Sequence, residues 1–424
     1  MLGGSAGRVK ASVPRSAEAC RVTELLVTAP SLSGLTVTDS PGPSLTLAGA
    51  TRALNAWVQV DLDALDANVR TLRSTLGPAV EVIAVVKANA YGAGAAPISA
   101  ALERAGVDRM AVVWMAEALA LRESGIRAPI IVLGHTFPED AAVAVEHGIT
   151  LTVDSMALGE ALSREAQAQG RDARVHIHID SGLHRDGLPV GEAVRLAEAL
   201  RQLPGIQVEG LSTHMANADE ADDSFSAEQH AQFAEACSRL PWIPYRHSAN
   251  TATALRHGEF RLDGVRLGLA LHGVLPENTP DTPLKPILSV RARVARVVDV
   301  APGEGVSYGL TWRAGKSSRV ALIPVGYADG WRRSLGNTGA VLIAGQRCPM
   351  VGRVCMDQFL VDVTALPGVA VGDECVLLGK QGADEITATE VAKLAHTIPW
   401  DVFASLQARL PRVYHRGGVV ETLA

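Results

Sequence analysis

Of the 39 lysines and arginines in this 424-residue chain only six are lysines, and Lys87 closes an apolar run, Val82-Ile83-Ala84-Val85-Val86. Burial at a strand end favours the neutral amine over the ammonium, which prevails in water below about pH 10.4. A neutral amine attacks an aldehyde, so the placement points to Schiff-base chemistry; the plainer alternative is a lysine that snorkels from a strand end. Tyr91 follows in a glycine-containing turn, where its hydroxyl either reaches a phosphate or packs. Further polar groups stand at or just past apolar runs: Arg185 in HIDSGLHRDG, His214 in GLSTHMANADE, Asn250 and Thr251 in RHSANTAT, Arg266 in VRLGLALHG. A lone histidine in such a place is more often a satisfied core group, but five strand ends in agreement describe the mouth of a site. Thr251 and the amides of Gly268 and Leu269 come after the last two runs, a place where barrels bind phosphate.

These groups need a scaffold that brings strand ends together. Eight β-rich runs, ending at Lys87, Met115, His135, Asp154, Asp180, His214, Ala249 and Leu271, alternate with Ala-, Glu- and Leu-rich helical stretches closed by Gly or Pro. That rhythm predicts an α/β fold, a (β/α)₈ TIM-type barrel, with a helix over about 61–76 entering beforehand. A doubly wound sheet is the rival, but its glycine-rich dinucleotide turn is replaced by KANAYGAG after the first run. Beyond about residue 287 strand-like segments follow one another at short Gly/Pro intervals, predicting a mostly antiparallel β domain. The expected organisation is a mobile extension over 1–55, rich in Ser, Thr, Gly and Pro, then a barrel over 56–286 and a β domain over 287–424.

Aromatic residues make up only 4% of the chain against 47% hydrophobic residues, so the core must rest on Ala, Val, Leu and Ile. A formal charge of -6 and the lack of a basic tract give no reason to hold nucleic acid. No apolar stretch approaches the roughly 20 residues of a membrane span. The five cysteines are odd in number and lack zinc-site spacing, which fits a reducing, cytoplasmic location and no metal.

Taken in order, VVKANAYGAG, HIDSGLHRDG, STHMANADE, HSANTATALR, VRLGLALHG, GEGVSYGLTWR, PVGYADGW and VGRVCMDQF resemble the bacterial alanine racemases over about residues 57–414. The resemblance implies pyridoxal 5′-phosphate as cofactor and a head-to-tail homodimer in which each site joins one barrel to the partner's β domain. It casts Lys87 as cofactor-bearing residue and one catalytic base, Tyr308 as the opposing base from the partner, and His214 as the link from Tyr308 to Arg266. Arg266 would meet the pyridine nitrogen; Tyr91, Thr251, Gly268 and Leu269 the phosphate; Arg185 and the partner's Met356 the substrate carboxylate. Tyr327, Arg333, Arg353 and Asp219 resemble access-channel residues. The implied reaction interconverts L- and D-alanine and supplies D-alanine for peptidoglycan.

Three departures from the family pattern stand out. His178 occupies the place of a lysine that many members carbamylate to steady the substrate arginine, Thr251 replaces a common serine, and Ala408 stands where a tyrosine would narrow the pocket. The last motivates an alternative, a broader racemase that also takes serine or other small amino acids. A non-catalytic cofactor-binding barrel would lack the β domain with Tyr308, and a barrel decarboxylase would place a carboxylate rather than Arg266 at the pyridine nitrogen.

Overall fold

The computed structural model describes residues 46–424; residues 1–45 of the expected leader, Cys20 among them, lie outside the described residues. Residues 46–55 of that leader carry secondary structure and hydrogen bonds to the rest of the chain. Leu47–Thr51 is a short helix whose N-cap Thr46 side chain accepts from the Gly49 N–H. The Leu47 N–H donates to the Gly418 carbonyl at 3.0 Å, and the Arg293 N–H donates to the Asn55 carbonyl at 2.8 Å. Contacts with residues far along the chain order a segment whose own composition would not.

The strand Ala56–Asp61 (β1) also departs from the expected boundary at residue 56, because it joins the second sheet and not the barrel. It runs antiparallel to Leu288–Arg293, with Val58 opposite Val290, and parallel to Arg412–Arg416, with Val60 opposite Tyr414. The helix Leu62–Leu76 then leads into the barrel. Asp61 caps it by accepting from the Ala64 N–H, and Gly77 ends it at a φ of 91°. Leu62, Leu65, Val69, Leu72 and Leu76 recur at helical spacing and are buried, each worth about 1.5–3 kcal/mol of transfer free energy.

Eight parallel strands follow: Glu81–Val85 (β2), Arg109–Val112 (β3), Ile130–Val132 (β4), Thr150–Thr152 (β5), Ala173–His178 (β6), Ile206–Ser212 (β7), Tyr245–His247 (β8) and Gly264–Leu267 (β9). Each overlaps one of the expected runs, four of them starting one or two residues earlier. β9 pairs with β2, setting Arg266 opposite Ile83. The seam between β8 and β9 is closed by the Asp263 N–H on the Arg246 carbonyl (3.1 Å) and the Arg266 N–H on the Ala249 carbonyl (2.9 Å). Ile83, Met110, Ile131, Leu151, Ile177, Leu211 and Leu267 are fully buried. Strands covered on both faces read as unbroken apolar runs for this reason.

The second sheet is mostly antiparallel, and its order interleaves β1, Leu288–Arg293 and the C-terminal strands. It therefore takes its strands from both ends of the described chain. Among the described residues no helix is long and apolar enough to cross a membrane.

Candidate active site

Immediately after Lys87 the backbone reverses its hand. Ala88, Asn89, Ala90 and Tyr91 have φ values of 52°, 55°, 50° and 54°. A left-handed turn costs about 1–2 kcal/mol for each residue bearing a Cβ, so its surroundings must hold it. The Ala88 N–H donates to Glu117 Oε1 at 2.6 Å, and the Ala95 N–H to Asn89 Oδ1 at 2.7 Å. From the C-terminal strand, buried Arg412 donates to the Gly92 carbonyl through Nε (3.1 Å) and Nη2 (2.9 Å), and the Tyr414 hydroxyl donates to the Ala93 carbonyl at 2.7 Å. The turn thereby sets both Lys87 and Tyr91 into one cavity.

That cavity, about 770 Å³, is also lined by Arg185, His214, Thr251, Arg266, Gly268 and Leu269. Gly268 has no room for a side chain: a Cβ there would lie 2.2 Å from the Tyr91 hydroxyl. The Gly268 N–H points at Thr251 Oγ1, 3.3 Å away. Burial pushes the Tyr91 phenol up, keeping it a protonated donor, and among the described residues it has no hydrogen-bond partner. Two hydroxyls and an amide so crowded form a cradle suited to phosphate.

Arg266 is buried on the floor of the same cavity. Its Nη1 donates to the His247 carbonyl (2.7 Å) and Nδ1 (2.8 Å). Its Nη2 donates to the Thr213 carbonyl (2.6 Å) and the Ser248 carbonyl (3.0 Å) and lies 3.3 Å from His214 Nδ1. Only the Nε–H is left without a partner among the described residues, which frees it for a ring nitrogen. Burial lowers the guanidinium to about 10, still a cation at neutral pH. Burial, followed by the Arg266 charge, holds the His214 imidazole well below its usual value and His178 at about 4. Lys87 is lowered by burial and next by Arg185. The site thus carries positive charge on guanidiniums while its imidazoles stay neutral, and its one amine is pushed toward the reactive form.

Arg185 is 61% exposed and pairs through Nε with Asp186 at 2.8 Å. His178 does not steady it; the imidazole Nδ1 lies 2.8 Å from Ser212 Oγ. Ala408 does not itself line the cavity, whose C-terminal wall is Ile398, Trp400 and Ala404.

The cavity does not gather every nominated group. Tyr308 and Met356 are 72% and 53% exposed and line a separate depression of about 540 Å³ with Ser307 and Cys355. Tyr308 sits on a strained loop, flanked by Ser307 at φ 62° and Leu310 at φ 47°, which Ser307 Oγ ties to the Arg353 carbonyl at 2.7 Å. Asp219 lines the first cavity, whereas Tyr327 lies beside the second, its N–H on the Cys355 carbonyl at 3.0 Å. Exposed Arg333 lines neither cavity. Glu117, Arg412 and Tyr414 support the site and were not singled out from the sequence, where nothing marks a residue that braces a turn from across the fold.

A free lysine, a phosphate cradle and a buried guanidinium around one barrel mouth define an enzyme that grips a phosphorylated aldehyde at its carbonyl, phosphate and ring nitrogen, and the donor set fits pyridoxal 5′-phosphate. Sequence profiles described as alanine racemase N-terminal domain and alanine racemase C-terminal domain match residues 60–276 and 287–414. The chain belongs to the alanine racemase family. An alanine racemase from Symbiobacterium thermophilum is 42% identical over 366 residues, covering 84% of this chain and 96% of the relative. One from Halothermothrix orenii is 39% identical over 364 residues, covering 84% and 96%. The crystal structure of Bacillus anthracis alanine racemase with bound L-Ala-P superposes with a TM-score of 0.81 at 37% identity, covering 87% of this chain and 97% of that one. The Bartonella henselae alanine racemase with covalently bound pyridoxal phosphate gives a TM-score of 0.78 at 31% identity, covering 85% and 99%. The enzyme is an isomerase that interconverts the alanine enantiomers with pyridoxal 5′-phosphate as cofactor.

Proposed function

We propose that racemisation proceeds between two bases from different subunits, Lys87 of one chain and Tyr308 of its homodimer partner. Racemisation removes the α-proton from one face of the carbon and returns a proton to the other, which two groups on opposite sides accomplish most directly. Pyridoxal 5′-phosphate, when bound, supplies the electron-withdrawing ring and carbonyl that make the α-proton acidic. Tyr91, Thr251 and the amides of Gly268 and Leu269 would hold its phosphate. The Arg266 Nε–H would donate to its ring nitrogen, and because a guanidinium does not give up its proton readily, it would leave the ring a weaker electron sink than a carboxylic acid would. Arg185 and the partner's Met356 N–H hold the substrate carboxylate. A tyrosine with an ordinary pKa near 10 is a poor base alone; neutral His214, whose Nδ1 accepts from Arg266, would donate its Nε2–H to the tyrosine oxygen and steady its deprotonated form. The product supplies D-alanine for peptidoglycan in the cytoplasm.

The observation that carries this reading is the division of groups: the nominated cofactor-binding residues and Arg185 line one cavity, while Tyr308 and Met356 line another surface of the same chain. Subunit mixing tests it. Lys87→Ala and Tyr308→Phe homodimers should each be nearly inactive. Co-expressed, half of randomly paired dimers are hybrids with one unaltered site, so about a quarter of wild-type activity returns. Absence of recovery in verified hybrid dimers would overturn the shared site.

A further inference from the structure

Beneath the cavity the barrel interior holds a row of polar side chains where branched aliphatic layers are usual. It starts at Arg266, whose Nη1 lies 2.8 Å from His247 Nδ1. His247 Nε2 lies 2.9 Å from His176 Nδ1, and His176 Nε2 lies 3.4 Å from Glu209 Oε2, the longest link. Glu209 Oε1 accepts from Arg109 Nη1 at 2.9 Å, and Arg109 Nε donates to Glu81 Oε2 at 2.8 Å. Both histidines are fully buried.

The direction of this row is fixed at both ends. A guanidinium only donates, so His247 Nδ1 accepts and its Nε2 carries the hydrogen. His176 Nδ1 must then accept, and its Nε2–H donates to a carboxylate, which only accepts. A proton added to either imidazole would set two N–H groups head to head. Burial acts in the same sense, lowering both histidines. Burial raises Glu209, but hydrogen bonds from His176 and Arg109 outweigh it and hold the carboxyl at about 2.

The backbone is shaped around the row. Val175 pairs with Val208 and His176 with Gly210, so Glu209 is the extra residue of a β-bulge, a device that re-aims a side chain. A Cβ on Gly210 would lie 2.7 Å from His176 Cε1 and Nε2, so the ring packs directly on bare backbone. A salt bridge at the barrel floor needs neither feature.

We propose that Glu209 is a positioning residue for racemisation: through His176 and His247 it occupies Arg266 Nη1, leaving Nε–H as the single donor for the cofactor ring. This rests on the assignment of Arg266 to that ring. In the cofactor-free wild-type protein, two-bond ¹H–¹⁵N spectra should show His176 and His247 as neutral Nε2–H tautomers over about pH 6–9. An Nδ1–H tautomer or a charged ring at either position overturns the relay, and this measurement needs no variant to fold. In the loaded enzyme, Glu209→Gln should lower kcat by about tenfold with KM within about twofold, and shift the pH midpoint of the bound cofactor's visible absorbance. Glu209→Asp should restore part of both. A lower unfolding temperature with kcat and absorbance midpoint unmoved would make Glu209 merely structural and end the proposal. Arg266→Gln altering the absorbance while Glu209→Gln does not would fault the relay alone; no change from Arg266→Gln would remove the assignment beneath it.

Discussion

Arg266 makes five hydrogen-bond contacts inside the barrel, whereas the Tyr308 side chain makes none among the described residues and stands 72% exposed on a strained loop. The barrel mouth is held by contacts within the chain: a left-handed turn braced from two sides, a glycine closed against a tyrosine hydroxyl, and a guanidinium with a single free donor among the described residues. The Tyr308 surface is an open depression shared with Ser307, Cys355 and Met356. Cofactor binding and orientation should therefore be properties of one subunit, and the second face of the substrate should be served only after assembly.

That contrast fails first at Lys87. Lys87→Ala should reduce racemisation by about a thousandfold or more and abolish the visible absorbance of bound cofactor, because among the described residues no other amine lines the cavity. Retained absorbance would put the cofactor elsewhere. Gly268→Ala places a methyl 2.2 Å from the Tyr91 hydroxyl. Overpacking of about 1–3 kcal/mol should weaken pyridoxal 5′-phosphate binding roughly 5- to 150-fold in an equilibrium titration. Tyr308→Phe should leave that affinity within about twofold; equal losses in the two variants would erase the distinction between the surfaces. The smallest effect on turnover should come from Arg412→Met. Arg412 also donates to the carbonyls of Leu406, Gln407 and Leu410, so its loss should lower stability by about 3 kcal/mol in urea unfolding. An unchanged midpoint would show that the C-terminal strand does not brace the turn.

The barrel was legible because each parallel strand is buried on both faces and its functional side chain lies at its end, so apolar run and polar terminus are adjacent in sequence. Lys87 and His214 could be nominated by that adjacency, whereas Arg266 lies inside β9 and its role came from the family resemblance. β1 could not: Ala56–Asp61 is strand-like, but its partners lie at 288–292 and 412–415, and pairing across such separations leaves no local mark. The reversed turn at Ala88–Tyr91 was hidden because alanine and tyrosine disfavour positive φ, so its stability comes from Glu117 and the C-terminal strand. Glu209 was hidden by its bulge, since a strand read with strict alternation assigns its side chain to the wrong face.

Solvent deuterium uptake at the α-carbon, followed separately from L-alanine and D-alanine in Tyr308→Phe, tests the two-sided site most directly. One enantiomer should still exchange through Lys87 while the other exchanges slower by about a hundredfold or more and racemisation falls with it. Equal exchange in both enantiomers, or racemisation at the wild-type rate, would contradict two opposed bases.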